Sequence, residues 1–155
     1  MADIVDPSAR SRMMAGIRGK DTKPELFLRQ GLHRLGLRYR LHCRDMPGRP
    51  DLVFPKYRVA LFVHGCYWHR HQGCRLCSVP AQNSEFWREK FERNMSRDKR
   101  QFAELREAGW RVLIIWECVL RRKEATELFV SIAGEIRDGK SDFREWPARL
   151  KLPGT

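Results

Sequence analysis

Between an apolar run ending at Val63 and a helical pattern beginning at Ser84 lies a stretch, residues 64–82, that is rich in His, Cys, Gly and Arg and has neither a strand nor a helix period. Irregular connections of that length are uncommon inside a compact domain, because fixing them costs entropy that no regular ladder offsets. Such a loop needs an organiser, and its composition suggests one. Cys66, His71 and Cys74 fall within nine positions, and thiolates with an imidazole are the donors of closed, tetrahedral zinc sites. Cys118 follows a second apolar run, 112–116, from which a fold can return it to the same place. Cys74-Arg75-Leu76-Cys77 is also a CxxC pair, so spacing alone leaves Cys74, Cys77 and Cys118 in competition. Ordinary buried thiols and a hydrogen-bonded histidine are the alternative, and Cys43 reads as a small hydrophobe of that kind.

The flanking segments imply an α/β domain. Thr22 before Pro24, with Glu25 three residues on, is a capping box that starts a helix carrying Leu26, Leu28, Leu32 and Leu35 to a stop at Gly36. Leu37 to His42, Leu52-Val53-Phe54 and Val59 to Val63 read as strands, the last two joined by a turn at Pro55-Lys56-Tyr57. A long helix from Ser84 to about Gly109, a buried strand 112–116 and a final helix from about Arg121 to Arg137 complete the order. Helix, strands, helix, strand, helix predicts a mixed sheet flanked by helices. Residues 1–20 hold Arg10, Arg12, Arg18 and Lys20 with little apolar patterning, so they are expected to form a basic arm ordered on DNA, with 21–155 as one domain.

Charge names the partner. Thirty-one Lys and Arg against nineteen Asp and Glu leave a formal +12, and such a surplus favours a polyanion through phosphate neutralisation and counterion release. Segment 29–58, with eight Lys or Arg against two Asp, is the candidate phosphate-facing surface. No run of about 18 apolar residues suggests a membrane span. The opening residues have no apolar leader, so a cytoplasmic, nucleoid-associated address is expected.

Asp51 opens a strand directly after Gly48-Arg49-Pro50, and the next strand ends nearby at Val63-His64. A hard oxygen donor on a rigid element suits Mg2+ and phosphodiester hydrolysis. A lone strand-edge carboxylate is the modest alternative. His64 and His69 flank Cys66, so whatever orders the loop also places two imidazoles, able to move protons near neutrality, beside Asp51. Glu25 serves either the site or only the capping box.

Pro47-Gly48-Arg49-Pro50-Asp51, then Phe62-Val63-His64-Gly65-Cys66-Tyr67-Trp68-His69, then Trp110-Arg111-Val112 through Trp116-Glu117-Cys118 resemble the very-short-patch DNA mismatch repair endonucleases. Ser11 to Met14 and Asp21 to Glu25 fit the same pattern, so the likeness spans roughly residues 8–120. The resemblance implies a restriction-endonuclease-like fold. It also implies a strand-nicking reaction 5′ to the thymine of a T:G mismatch arising from deaminated 5-methylcytosine. It assigns Mg2+ to Asp51 and the Val63 backbone carbonyl, the general base to His69, and support of metal and waters to His64 and Glu25. Structural Zn2+ falls to Cys66, His71, Cys74 and Cys118, leaving Cys77 out. Tyr67, Trp68 and Trp87 match aromatic side chains that wedge into DNA beside the mismatch, where unstacking a base step costs a few kcal/mol and a mismatched step resists less. Val63 stands where Thr is common and Tyr67 where Phe is usual, and a downstream Glu-x-Lys is missing. The implied partner is mismatched duplex DNA bound by a monomer, with mismatch-repair proteins as further partners. A restriction-type enzyme cutting matched DNA and a non-catalytic zinc-stabilised DNA-binding module are the competing readings.

Overall fold

The structure is a computed structural model that describes residues 22–121 and 125–148; the basic arm expected over 1–20 lies outside them. Thr22 caps the first helix by accepting the Glu25 N–H, and α1 runs Lys23–Arg34 with Leu28 and Leu32 buried. Gly36 turns the chain out of it at φ +89, a conformation open to glycine at little cost. Only Arg40–Leu41 of the strand expected over 37–42 pairs, as β1, because His42 adopts φ 48 and ends the extended run. β2 is Leu52–Phe54, and a 3-10 turn at Pro55–Tyr57 closed by left-handed Arg58 leads to β3, Val59–His64. Helix α2 is Ser84–Glu107 and β4 is Arg111–Trp116.

The final helix differs from expectation. A separate short helix α3, Glu117–Leu120, follows β4 directly, and α4 occupies Ala125–Asp138. Beyond it, β5 at Phe143–Trp146 adds a strand that the sequence reading did not include. Its burial pattern explains the omission, since three of its four residues are not buried.

All five strands join one sheet in the order β1-β2-β3-β4-β5, antiparallel from β1 to β3 and parallel from β3 to β5. The mixed sheet flanked by helices is therefore present. Side-chain parity divides it into two faces. Val59, Leu61, Leu113 and Ile115 face α1, α3 and α4 through Leu28, Leu32, Val119, Ile132 and Ile136. Ala60, Phe62, Val112, Ile114 and Trp116 pack with Leu105 of α2 and with Cys66. By the same parity His64, at the end of β3, lies on the α2 face, and that places it with the loop. Among the described residues no helix is long and apolar enough to cross a membrane.

Candidate active site and metal centre

The loop after β3 is held by a series of tight turns. His69 N–H donates to Gly65 O at 3.1 Å, His71 N–H to Cys66 O at 2.9 Å, Cys74 N–H to His71 O at 3.3 Å and Cys77 N–H to Cys74 O at 3.0 Å. Gly73 takes φ +74 between His71 and Cys74, letting the chain reverse there. Cys118, at the start of α3, reaches the same point because β3 and β4 run parallel, with His64 opposite Trp116. Donor atoms of Cys66, His71, Cys74 and Cys118 all lie within 4.8 Å of one another. Cys77 is not in this set.

Two of those separations test the fit of a metal. Cys66 Sγ is 3.6 Å and Cys118 Sγ 3.5 Å from His71 Nδ1. A tetrahedron with bonds of about 2.3 Å to sulfur and about 2.05 Å to nitrogen has a sulfur–nitrogen edge of roughly 3.6 Å. The spacing thus suits a zinc-sized ion. Burial pushes the Cys66 thiol far above its ordinary range, with Cys118 beside it, and burial lowers the His71 imidazole so that it is neutral. Buried thiols in that position are poor anions unless a cation joins them. Trp116 stacks on His71 at 4.3 Å and fixes the ring plane, and Glu117 accepts the Cys66 N–H at 3.1 Å.

Beside this centre stand two polar groups. In the first, Asp51 Oδ2 accepts the Val63 N–H at 2.7 Å, and Glu25 Oε1 lies 2.5 Å from His42 Nε2. The contact seen at Val63 is through its N–H. Glu25, Asp51 and His42 bring their donor atoms within 4.8 Å. Glu25 is 2% exposed; its N–H donates to the Thr22 cap, and its carboxylate belongs to this cluster. The Asp51 carboxyl is raised to about 7, mainly by burial and also by the Glu25 charge, against the Val63 N–H and the imidazoles of His42 and His69.

In the second group, His69 Nδ1 is 2.6 Å from Asp98 Oδ2, and the His64 and His69 rings stack at 3.7 Å with 9° between planes. His64 is enclosed by Phe62, Phe102 and Trp116. Burial, then His69 and Arg97, holds its imidazole neutral. All four sequence-nominated residues, Asp51, His64, His69 and Glu25, thus converge. Two more, His42 and Asp98, were missed. Asp98 carries a signal in the sequence: it shares with Phe91 and Leu105 a seven-residue spacing along the buried side of α2, where a carboxylate is out of place without a partner. His42 carries none, since only the β1–β2 pairing brings it to Asp51, its N–H donating to Asp51 O at 3.1 Å.

Tyr67, Trp68 and Trp87 also come together. Tyr67 meets Trp68 at 5.0 Å and Phe91 at 5.3 Å, while Trp87 lies 6.1 Å from Trp68 and 5.8 Å from Phe91. Lys90 sits over Trp68 and Trp87, and Arg70 over Phe91 at 4.0 Å. Partly exposed rings interleaved with cations suit a surface that stacks on bases and holds phosphates.

Several known proteins are similar to this chain. The family model described as DNA mismatch endonuclease Vsr matches residues 2–75. The type II nicking enzyme V.XorIIP of Xanthomonas oryzae is 46% identical over 82% of this chain and 93% of its own. The DNA mismatch endonuclease Vsr of Escherichia coli is 48% identical over 80% of this chain and 79% of its own. Among solved structures, the catalytic domain of the homing endonuclease I-Bth0305I matches with a TM-score of 0.49 at 22% identity, covering 74% of this chain and 93% of that one.

Proposed function

The chain belongs to the DNA mismatch endonuclease Vsr family, and from that premise we propose that it nicks one strand of duplex DNA 5′ to the thymine of a T:G mismatch. That it is a DNA endonuclease follows from membership. The observation that carries the finer reading is the meeting of a buried carboxylate centre with an imidazole–carboxylate pair and an aromatic cluster. Asp51, Glu25 and His42 form the first, His69 and Asp98 the second, Tyr67, Trp68 and Trp87 the third.

The oxygen donors at Asp51 and Glu25, with the Val63 carbonyl, fit Mg2+, which when bound neutralises phosphate charge and makes a coordinated water more acidic. Within the chain's own machinery, Asp98 fixes the His69 ring through Nδ1, so Nε2 is the nitrogen left to accept a proton from an attacking water. His64, kept neutral and stacked on His69, holds that ring from the other side. Cys66, His71, Cys74 and Cys118 hold Zn2+ and pin the loop that carries both histidines. Tyr67, Trp68 and Trp87 enter the base stack at the mismatch. Residues 21–155 work as one endonuclease domain, a monomer on DNA in the cytoplasm at the nucleoid, with 1–20 as a basic arm and mismatch-repair proteins as further partners.

The test is strand-specific cleavage of end-labelled duplexes that carry T:G, T:A or C:G at one site, with Mg2+ or with EDTA. A Mg2+-dependent nick confined to the T strand of T:G is expected. Cleavage of both strands of matched DNA, or binding with no cleavage in any context, would overturn the reading.

A further inference from the structure

We propose that His42 is a metal ligand, so that Glu25, His42 and Asp51 form a mixed oxygen–nitrogen centre that takes Mn2+ or a similar first-row transition ion in preference to Mg2+. The inference rests on the proposed role of Asp51 as a metal-binding carboxylate and adds to it the identity of a third donor and the class of ion.

Three observations carry it. The donor atoms of these three side chains lie within 4.8 Å of one another, about the span that two coordination bonds to one ion allow. They are also rigidly placed from separate elements. Glu25 stands in the first turn of α1 and is almost wholly buried, with Arg29 3.7 Å from its Oε1. Asp51 is held by the Val63 N–H, and the His42 backbone is tied to that of Asp51 across the β1–β2 pair. Finally, His42 holds φ 48, a left-handed conformation costing on the order of 1 kcal/mol or more for a residue with a Cβ. That backbone brings its Nε2 beside the carboxylates, 2.5 Å from Glu25 Oε1, a hydrogen-bond contact that a shared ion would open to about 3 Å.

The chemistry of the donor set then selects the ion. Mg2+ prefers six oxygens and sheds water reluctantly, so it binds here through the carboxylates and gains little from the imidazole. Transition ions gain from imidazole nitrogen, in the order that runs upward from Mn2+. With two carboxylates and one imidazole, the centre discriminates by the nitrogen, and the carboxylates alone would not.

The test uses the full chain and Mn2+ as probe, with Mg2+ as competitor. Pulsed EPR of bound Mn2+ is expected to show nitrogen-14 modulation from a directly coordinated imidazole, a readout that needs no variant and no cleavage. In His42→Gln, which keeps a polar group beside Glu25, the modulation is expected to vanish and Mn2+ affinity to fall about tenfold while Mg2+ affinity changes less than about threefold. Bound Mn2+ without nitrogen modulation, or modulation that persists in His42→Gln, overturns the assignment of His42. Asp51→Ala separates the two readings. If it abolishes Mn2+ binding while His42→Gln does not alter it, the Asp51 centre stands and His42 is no ligand. If Mn2+ binding survives Asp51→Ala, the metal role of Asp51 fails and this inference fails with it.

Discussion

Replacing Asp51 by Asn is expected to stabilise the protein in the absence of magnesium while destroying its activity. The carboxyl has an ordinary value of 3.8 and is raised to about 7 in the fold, burial being the chief cause. A raised carboxyl binds its proton more tightly folded than unfolded. Wild-type stability from this group is therefore fully present below about pH 4 and is lost as pH rises to about 7. At 1.36 kcal/mol for each pH unit, the gap amounts to roughly 4 kcal/mol above pH 7. Asn has nearly the same shape and can still accept the Val63 N–H, and burying its neutral amide costs on the order of 1–2 kcal/mol. The expected net gain at pH 8 is about 2–3 kcal/mol, shrinking by about 2 kcal/mol at pH 5.5. Urea unfolding of both proteins at the two pH values, in buffer without magnesium or chelator, measures this, and comparing the two cancels effects common to both. Added Mg2+ should then stabilise only the wild type, by mass action. An Asn variant less stable than wild type at pH 8, or a difference that does not change with pH, would refute the reasoning.

Three further outcomes follow from the same geometry. Asp98→Asn removes the carboxylate that orients His69 and is expected to lower kcat by 10²–10⁴-fold with substrate affinity nearly unchanged, read from single-turnover nicking. Cys66→Ser is expected to lose the bound zinc and several kcal/mol of stability, whereas Cys77→Ser, outside the converging set, should retain metal content by elemental analysis. A zinc stoichiometry unchanged in Cys66→Ser would exclude that ligand set. Gly31→Ala places a Cβ 2.4 Å from the Phe129 ring where α1 meets α4, and thermal melting should register a loss of about 1–3 kcal/mol.

Local pattern made much of this protein legible. The Thr22 cap, the apolar runs at 52–54, 59–63 and 112–116, and the long stripe of α2 are short-range signals, since hydrophobic period and capping act over a few residues. The Cys66, His71 and Cys74 cluster was equally readable, because its members come from neighbouring positions of one loop. Spacing could not decide between Cys74, Cys77 and Cys118. The convergence of the first and third with Cys66 and His71 depends on the turns at 71–77 and on the parallel pairing of β3 with β4.

What only the tertiary structure decided are contacts between residues far apart in the chain. His42 meets Glu25 and Asp51 through the β1–β2 ladder, and Asp98 meets His69 because α2 covers the face on which β3 ends. β5 also escaped, as a mostly exposed strand gains its place from pairing with β4 and leaves little pattern of its own. By itself the sequence determined most of the element types, the loop's need for an organiser, the basic charge and the residue kinds that carry chemistry, all properties of near neighbours or of composition. Which carboxylate meets which imidazole, and which donor atoms come together, depended on sheet register and helix placement, where distant side chains are packed together by burial of the core.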